Sequence, residues 1–142
     1  SVVIAALLVF GLASPVLAQS VGLGAKISSE LAPAVFSEWY LSPNFSLGLS
    51  LGVQSAAVTI EAIGKFYSPD YLSALAFYGG GGSRLVAAEG SLEPFVLLLL
   101  GMKLSPGFSL SLLGELELVS PLYDLRRFEL EVWLGLEARF RL

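Results

Sequence analysis

The last sixteen residues of the chain, 127–142, alternate strictly between two kinds of side chain. Every second position from Arg127 onward holds a charged residue, a glycine or a tryptophan, whereas every second position from Phe128 onward is apolar. An α-helix would spread both sets around its circumference, but a β-strand points successive side chains to opposite faces. The pattern therefore predicts an amphipathic strand, and one of its faces must be covered by apolar surroundings.

Shorter alternating runs recur along the chain, as at residues 45–53 (FSLGLSLGV) and 108–112 (FSLSL). Turns that begin at Ser42, Ser68 and Ser105 each contain Ser-Pro, and proline presets the backbone for a tight turn. Because these turns and both termini share one end, the last strand can pair with the first and close an all-β, antiparallel, up-and-down barrel. The eight predicted strands are residues 19–28, 34–42, 45–54, 58–68, 71–80, 92–105, 108–119 and 126–142.

Charged residues fall on only one face of these predicted strands. When the more apolar positions of each strand are assigned to one face, the opposite face holds fourteen of the twenty charged residues. The fourteen are Lys26, Glu38, Glu61, Lys65, Glu93, Lys103, Glu115, Glu117, Arg127, Glu129, Glu131, Glu137, Arg139 and Arg141. The remaining six are assigned to turns, loops or strand ends: Glu30, Asp70, Arg84, Glu89, Asp124 and Arg126.

Two orientations of these faces give two kinds of protein. A soluble, lipocalin-like carrier would point the apolar face inward around a ligand, whereas a transmembrane β-barrel points it outward to lipid. The charged face is also rich in glycine and serine, which suit a narrow interior, and fourteen charges are few for the outside of a soluble barrel. Aromatic residues beside the Ser-Pro turns, Tyr40 and Tyr67 among them, match the belt at a membrane interface. The predicted interfacial belt comprises Trp39, Phe45, Phe66, Tyr71, Phe108 and Phe140.

The first eighteen residues, SVVIAALLVFGLASPVLA, carry no charge and end in small residues after Ser14-Pro15. They match the apolar core and cleavage region of a secretory signal peptide whose positive start is missing. The alternative is a retained anchor, but the segment is near the lower length limit for a spanning helix and Pro15 interrupts it. We therefore expect a signal peptide at 1–18, N-terminally incomplete, and a barrel at 19–142.

Composition excludes several chemistries. The chain has no Cys and no His, so thiolate chemistry and histidine-based acid–base catalysis or metal binding are ruled out. A pI near 4.7 argues against nucleic-acid binding. The glycine run Gly79–Gly82 lacks the Lys-Ser/Thr of a phosphate-binding loop and is expected in a flexible loop or at a strand end. Glutamates two positions apart, such as Glu115 and Glu117, lie on one face of a strand through alternation alone, so their spacing does not indicate a catalytic carboxylate pair. We expect no enzyme activity and no cofactor.

The leader, the eight alternating strands and the amphipathic last strand together resemble the small eight-stranded outer-membrane barrels of the OmpA-barrel or OmpX type. The resemblance is one of pattern and covers residues 19–142. It implies a bacterial outer-membrane location and a last strand, with Phe140 and Leu142 near its end, that the assembly machinery recognises. Members of this family tend to have longer surface loops, and only the segment 81–91 is predicted to be such a loop here.

An eight-stranded barrel is just wide enough for its interior to be filled by side chains. The fourteen charged residues are therefore expected to form a cross-strand ion-pair network that occludes the lumen, because unpaired buried charge is costly. The function expected is structural and membrane-stabilising. A narrow, cation-preferring, porin-like pore lined by the excess glutamates is the second possibility, and the soluble carrier is the third. The expected partners are membrane lipid and the assembly machinery, with a monomeric chain and no nucleic acid.

Overall fold

The structure, a computed structural model, describes residues 19–107 and 109–142 of the chain. It is an all-β barrel of eight antiparallel strands: β1 (Ser20–Ser28), β2 (Pro33–Ser42), β3 (Phe45–Gln54), β4 (Ala57–Ser68), β5 (Leu75–Ala88), β6 (Ser91–Leu104), β7 (Leu110–Pro121) and β8 (Glu129–Arg141). The predicted signal peptide at 1–18 lies outside the described residues. Across those residues, none of the chain forms a helix long and apolar enough to cross a membrane.

The strands follow one another around the barrel in sequence order, and β8 closes it by pairing with β1. Ser20 lies opposite Tyr40 of β2 and Arg141 of β8, so the first strand is paired on both sides along its length. Closure leaves no free sheet edge. The predicted antiparallel up-and-down barrel is thereby confirmed.

Strand β5 corrects one sequence prediction. We expected a strand at 71–80 and a loop at 81–91, but β5 continues to Ala88 and turns into β6 through only Glu89 and Gly90. The glycine run is therefore mid-strand, paired with β4 and β6. Glycine is disfavoured in strands, which is why the pattern misled. It is needed here because a Cβ atom on Gly82 would lie 2.9 Å from the Cα atom of Ile63 in β4.

All connections between strands are short. The β3–β4 hairpin is closed by Ser55 and Ala56 alone, and both have the positive φ that a right-twisted two-residue turn requires. The β4–β5 connection is held by the Asp70 carboxylate, which accepts the backbone N–H of Leu72 at 2.9 Å. The connection between β7 and β8, residues 122–128, is the longest of those between described strands.

The two faces of the wall differ as the alternation predicts. In β6, Leu98 is 63% exposed on the outside, whereas its neighbour Leu97 is 1% exposed on the inside. The strand register places inward-facing residues of neighbouring strands opposite one another. Glu61 in β4 lies opposite Arg84 in β5, and Arg84 lies opposite Phe95 in β6. Every charged residue within the described strands has this inward parity, and the outer face is apolar. This is the arrangement of a transmembrane β-barrel.

Candidate functional site

The interior of the barrel holds a connected network of five cations and six carboxylates. Its members are Lys26, Lys65, Arg84, Lys103 and Arg139 with Glu38, Glu61, Glu115, Glu117, Glu131 and Glu137. Cations and carboxylates alternate along a path from Arg139, near the chain termini, to Glu131, near the opposite end. Desolvation of each charge is costly, so this alternation is what makes so many buried charges tolerable.

Lys26 occupies the middle of the network. Its ammonium lies 3.3 Å from a carboxylate oxygen of Glu115, 3.3 Å from one of Glu117 and 3.7 Å from one of Glu61. The same ammonium sits 4.7 Å from the centre of the Trp133 ring, a cation–π contact. One cation from β1 thus ties together strands β4, β7 and β8.

Arg84 from β5 bridges three carboxylates on three strands. Its guanidinium lies 2.6 Å from Glu61, 3.0 Å from Glu117 and 2.7 Å from Glu131. Guanidinium has a planar fork of donors and can satisfy several carboxylates at once, which an ammonium does less well. Sequence reasoning assigned Arg84 to a loop because of the preceding glycines, so this central residue was missed.

Lys103, fully buried on β6, organises the end of the lumen nearest the termini. Its ammonium donates to the hydroxyl oxygens of Tyr40 at 2.6 Å and Tyr67 at 2.9 Å. It also lies 3.2 Å from Glu137 and 3.4 Å from Glu38. The two tyrosine hydroxyls in turn donate to these carboxylates, Tyr40 to Glu137 at 2.7 Å and Tyr67 to Glu38. Every polar group of this cluster therefore has a partner.

A group of tyrosines plugs the same end of the lumen, and it corrects the predicted aromatic belt. Tyr71 is 4% exposed, stacks on Tyr40 with ring centres 4.2 Å apart, and lies inside the barrel. Tyr40 and Tyr67 are inside as well. A tyrosine has an apolar ring and a hydroxyl that needs a partner, and the buried carboxylates supply that partner. Tyr78, which the sequence did not single out, donates to Glu115 at 2.7 Å.

Other members of the predicted belt lie on the outer wall. Phe66 and Phe140 are exposed there, and Phe45 packs against Phe66 with ring centres 5.0 Å apart. Trp39 is partly exposed and its indole N–H donates to the Ser37 hydroxyl at 3.2 Å. Phe108 lies outside the described residues.

Four residues of the predicted lumen network lie at the ends of the barrel and are exposed. Glu93, Arg127 and Glu129 line a vestibule of about 600 Å³ at the end away from the termini, with Glu131 and Arg84 also among its lining residues. Arg127 belongs to the β7–β8 connection, which corrects its assignment to a strand. Arg141 is exposed at the end near the termini. The network is therefore confined to the middle of the lumen.

The charged layer in the middle of the lumen is buried. Glu38, Lys103 and Glu117 have no exposed surface. With six carboxylates against five cations, the layer has one formal negative charge in excess. The arrangement can hold eight strands in register.

No protein-family model matches the chain, and a sequence search of curated proteins gives no match. Similar folds are found among solved structures. The N-terminal β-barrel domain of Pseudomonas aeruginosa OprF has a TM-score of 0.73 at 15% identity, over 87% of this chain and 98% of that one. Neisserial surface protein A has a TM-score of 0.56 at 13% identity, over 85% of this chain and 94% of that one.

A de novo designed transmembrane β-barrel is also similar, with a TM-score of 0.59 at 16% identity over 85% of this chain and 93% of that one. At such low identities the likeness establishes the fold. The chain therefore has the fold of the small eight-stranded outer-membrane β-barrels, as its strand pattern predicted.

Proposed function

We propose that this chain is a bacterial outer-membrane barrel whose role is structural, stabilising the membrane with a lumen that does not conduct. The observation that carries the proposal is the inversion of polarity: apolar side chains lie on the outer wall, and a buried network of ion pairs lies within. An apolar exterior of this kind is suited to lipid. The barrel acts without catalysis, as a monomer, and reaches the membrane through a signal peptide and the outer-membrane assembly machinery.

The charged interior argues against a soluble carrier of apolar ligands. A carrier of apolar ligands needs an apolar cavity, whereas the centre of this lumen is filled by Lys26, Arg84 and their carboxylate partners. Its apolar surface would face water, which is unfavourable for so many large side chains.

A narrow cation-preferring pore is the second candidate. The excess carboxylate in the buried layer and the exposed Glu93 and Glu129 in the vestibule favour it, since they would attract cations. It requires that the network open, because Lys103 and its partner Glu38 have no exposed surface in this arrangement.

Cell fractionation and planar-bilayer recording test the proposal together. We expect the full-length protein in the detergent-extracted membrane fraction, with gel migration that changes on boiling, as for a barrel that stays folded in detergent. Purified protein should insert into planar bilayers without discrete conductance. Recovery in the periplasm without detergent would contradict membrane insertion, and a steady cation-selective conductance would favour the pore instead.

A further inference from the structure

The vestibule at the end of the barrel away from the termini is large enough to hold a small molecule. Its volume of about 600 Å³ lies within the range of small-molecule sites in proteins, about 300–1,000 Å³. It is bounded by inward-facing residues of β3 to β8 and by the β7–β8 connection. A molecule that enters it meets the charged layer at Arg84 and Glu131, which form the floor.

One side of the vestibule is apolar, which is unusual for the inside of a transmembrane barrel, where inward positions are mostly polar. Val86, Phe95, Val119 and Pro121 line it from three consecutive strands, β5, β6 and β7. Phe95 is only partly buried, and it packs on the buried hydrophobic cluster further inside, which includes Leu97. A cavity that combines an apolar wall with a few polar groups is typical of a site for a ligand with an apolar part.

Two further aromatic side chains stand at the mouth of the vestibule. Tyr123 and Phe128, from the β7–β8 connection, line it and are 67% and 62% exposed. Together with Phe95 they give the cavity three aromatic rings. The face of an aromatic ring attracts cations, and proteins recognise quaternary ammonium ligands through such faces.

Two carboxylates in the vestibule have no cation of their own. Glu93 on β6 and Glu129 on β8 line it, are exposed, and form no ion pair with any residue in 19–107 or 109–142. The one cation beside them in the lining above the floor is Arg127, whose guanidinium donates to the Tyr123 hydroxyl at 3.4 Å. Because the buried layer already has one carboxylate in excess, this end of the lumen is negatively charged and attracts cations.

The guanidinium of Arg84 on the floor is not available to an anion. Its Nε donates to Glu61 at 2.6 Å, its Nη1 to Glu131 at 2.9 Å and its Nη2 to Glu117 at 3.0 Å. All three of its nitrogen atoms are therefore engaged by carboxylates. An anionic ligand would have to displace one of these carboxylates, whereas a cationic ligand meets the unpaired oxygens of Glu93 and Glu129.

We infer that the vestibule is a binding site for a small organic cation with an apolar body, such as an aromatic amine or a quaternary ammonium compound. The cationic group pairs with the carboxylates of Glu93 and Glu129, and the apolar body lies against Phe95 and its neighbours. An inorganic ion would gain nothing from the apolar wall. The inference goes beyond the proposed structural role, and it requires that the barrel be folded but not that it conduct.

Calorimetric titration with benzyltrimethylammonium tests the inference. The full-length chain is placed in nanodiscs of phosphatidylcholine, which carry no net charge, and the heat of titrating empty nanodiscs is subtracted. We expect saturable binding that weakens as salt is raised, because salt screens exposed charges. Benzoate, which has the same ring and the opposite charge, should not bind. Tetramethylammonium, which lacks the ring, should bind about tenfold more weakly.

Matched variants locate the site. Glu93→Gln and Glu129→Gln should each weaken the binding of benzyltrimethylammonium about fivefold, and Phe95→Leu about threefold. Glu89→Gln makes the same change of charge in the β5–β6 turn, at the same end of the barrel but outside the vestibule lining, and should leave the affinity unchanged. Gel migration before and after boiling checks that each variant is folded.

Several results would overturn the inference while leaving the proposed function standing. They are the absence of saturable binding, benzoate or tetramethylammonium binding as tightly as benzyltrimethylammonium, and a loss in Glu89→Gln equal to that in Glu93→Gln. A chain that does not enter nanodiscs contradicts membrane insertion instead, and the same titration of the water-soluble chain then decides whether the binding site exists.

Discussion

At the scale of single residues, Lys103 has the most connected environment in the lumen. It is fully buried, and its ammonium contacts two carboxylates and two tyrosine hydroxyls. Each of these hydroxyls also donates a hydrogen bond to one of the two carboxylates. Removing a buried cation leaves its carboxylate partners less compensated, and the cost of that loss exceeds the net value of the intact pair. The stability of the barrel should therefore depend on such cations because they neutralise buried carboxylates.

Replacing Lys103 tests this dependence. We expect Lys103→Met to lower the free energy of unfolding by about 3–5 kcal/mol, because Glu38 and Glu137 stay buried and each loses one of its two cationic partners. Urea unfolding from vesicles, followed by circular dichroism, measures the change. Lys103→Met/Glu137→Gln should recover part of the loss, whereas Glu89→Gln, at an exposed carboxylate in the β5–β6 turn, should change stability by less than about 0.5 kcal/mol. A loss in Lys103→Met no larger than in Glu89→Gln would show that the network contributes little.

At the scale of strands, the outward side chains must match the lipid. Leu134 lies near the middle of β8, faces outward, and is paired with Gly114 and Ile27 on the neighbouring strands. We expect Leu134→Arg to lower the free energy of unfolding by about 2–4 kcal/mol, as for a cation placed near the bilayer midplane. Leu49→Arg and Leu112→Arg, on other strands, should behave alike. The same unfolding measurement applies.

The matched control is Leu142→Arg, at an exposed leucine just after the end of β8. Near the interface the cost should fall to about 0–1 kcal/mol. Equal losses at positions 134 and 142 would mean that depth in the membrane does not matter, which contradicts the orientation of the wall.

Strands are also the level at which sequence reasoning was most informative. The alternation in β8 identifies which face is charged, because the two-residue side-chain period follows from strand geometry and does not depend on what the strand packs against. It does not reveal pairing partners, so the bridge from Arg84 to Glu61 could not be predicted without the register of β4 and β5. The bounds of β5 were predicted wrongly because glycine has low strand propensity. The glycines of β5 are nevertheless required there, since the backbone of β4 lies too close to leave room for a Cβ atom. Tyr71 was assigned to the wrong side because its ring and hydroxyl suit either the membrane interface or a carboxylate-rich interior.

At the scale of the whole molecule, the lumen is divided into two zones along its axis. The zone nearest the termini is filled by tyrosines and the buried ion network, and the zone at the opposite end is the open vestibule. We therefore expect water to enter from the vestibule end and to stop at Arg84 and its partners. This asymmetry would distinguish an occluded barrel from a continuous pore.

The chain has no cysteine, so single cysteines can map the two zones directly. Thr59 lines the vestibule, whereas Ser46 is fully buried and donates its hydroxyl to Glu38 of the network, and both point into the lumen from neighbouring strands. We expect a water-soluble maleimide to label Thr59→Cys in the folded, membrane-inserted protein and to label Ser46→Cys only after unfolding. Mass spectrometry of the intact chain measures both. Comparable labelling of the two variants would mean that water reaches the buried network, which contradicts the non-conducting lumen of the proposed structural role.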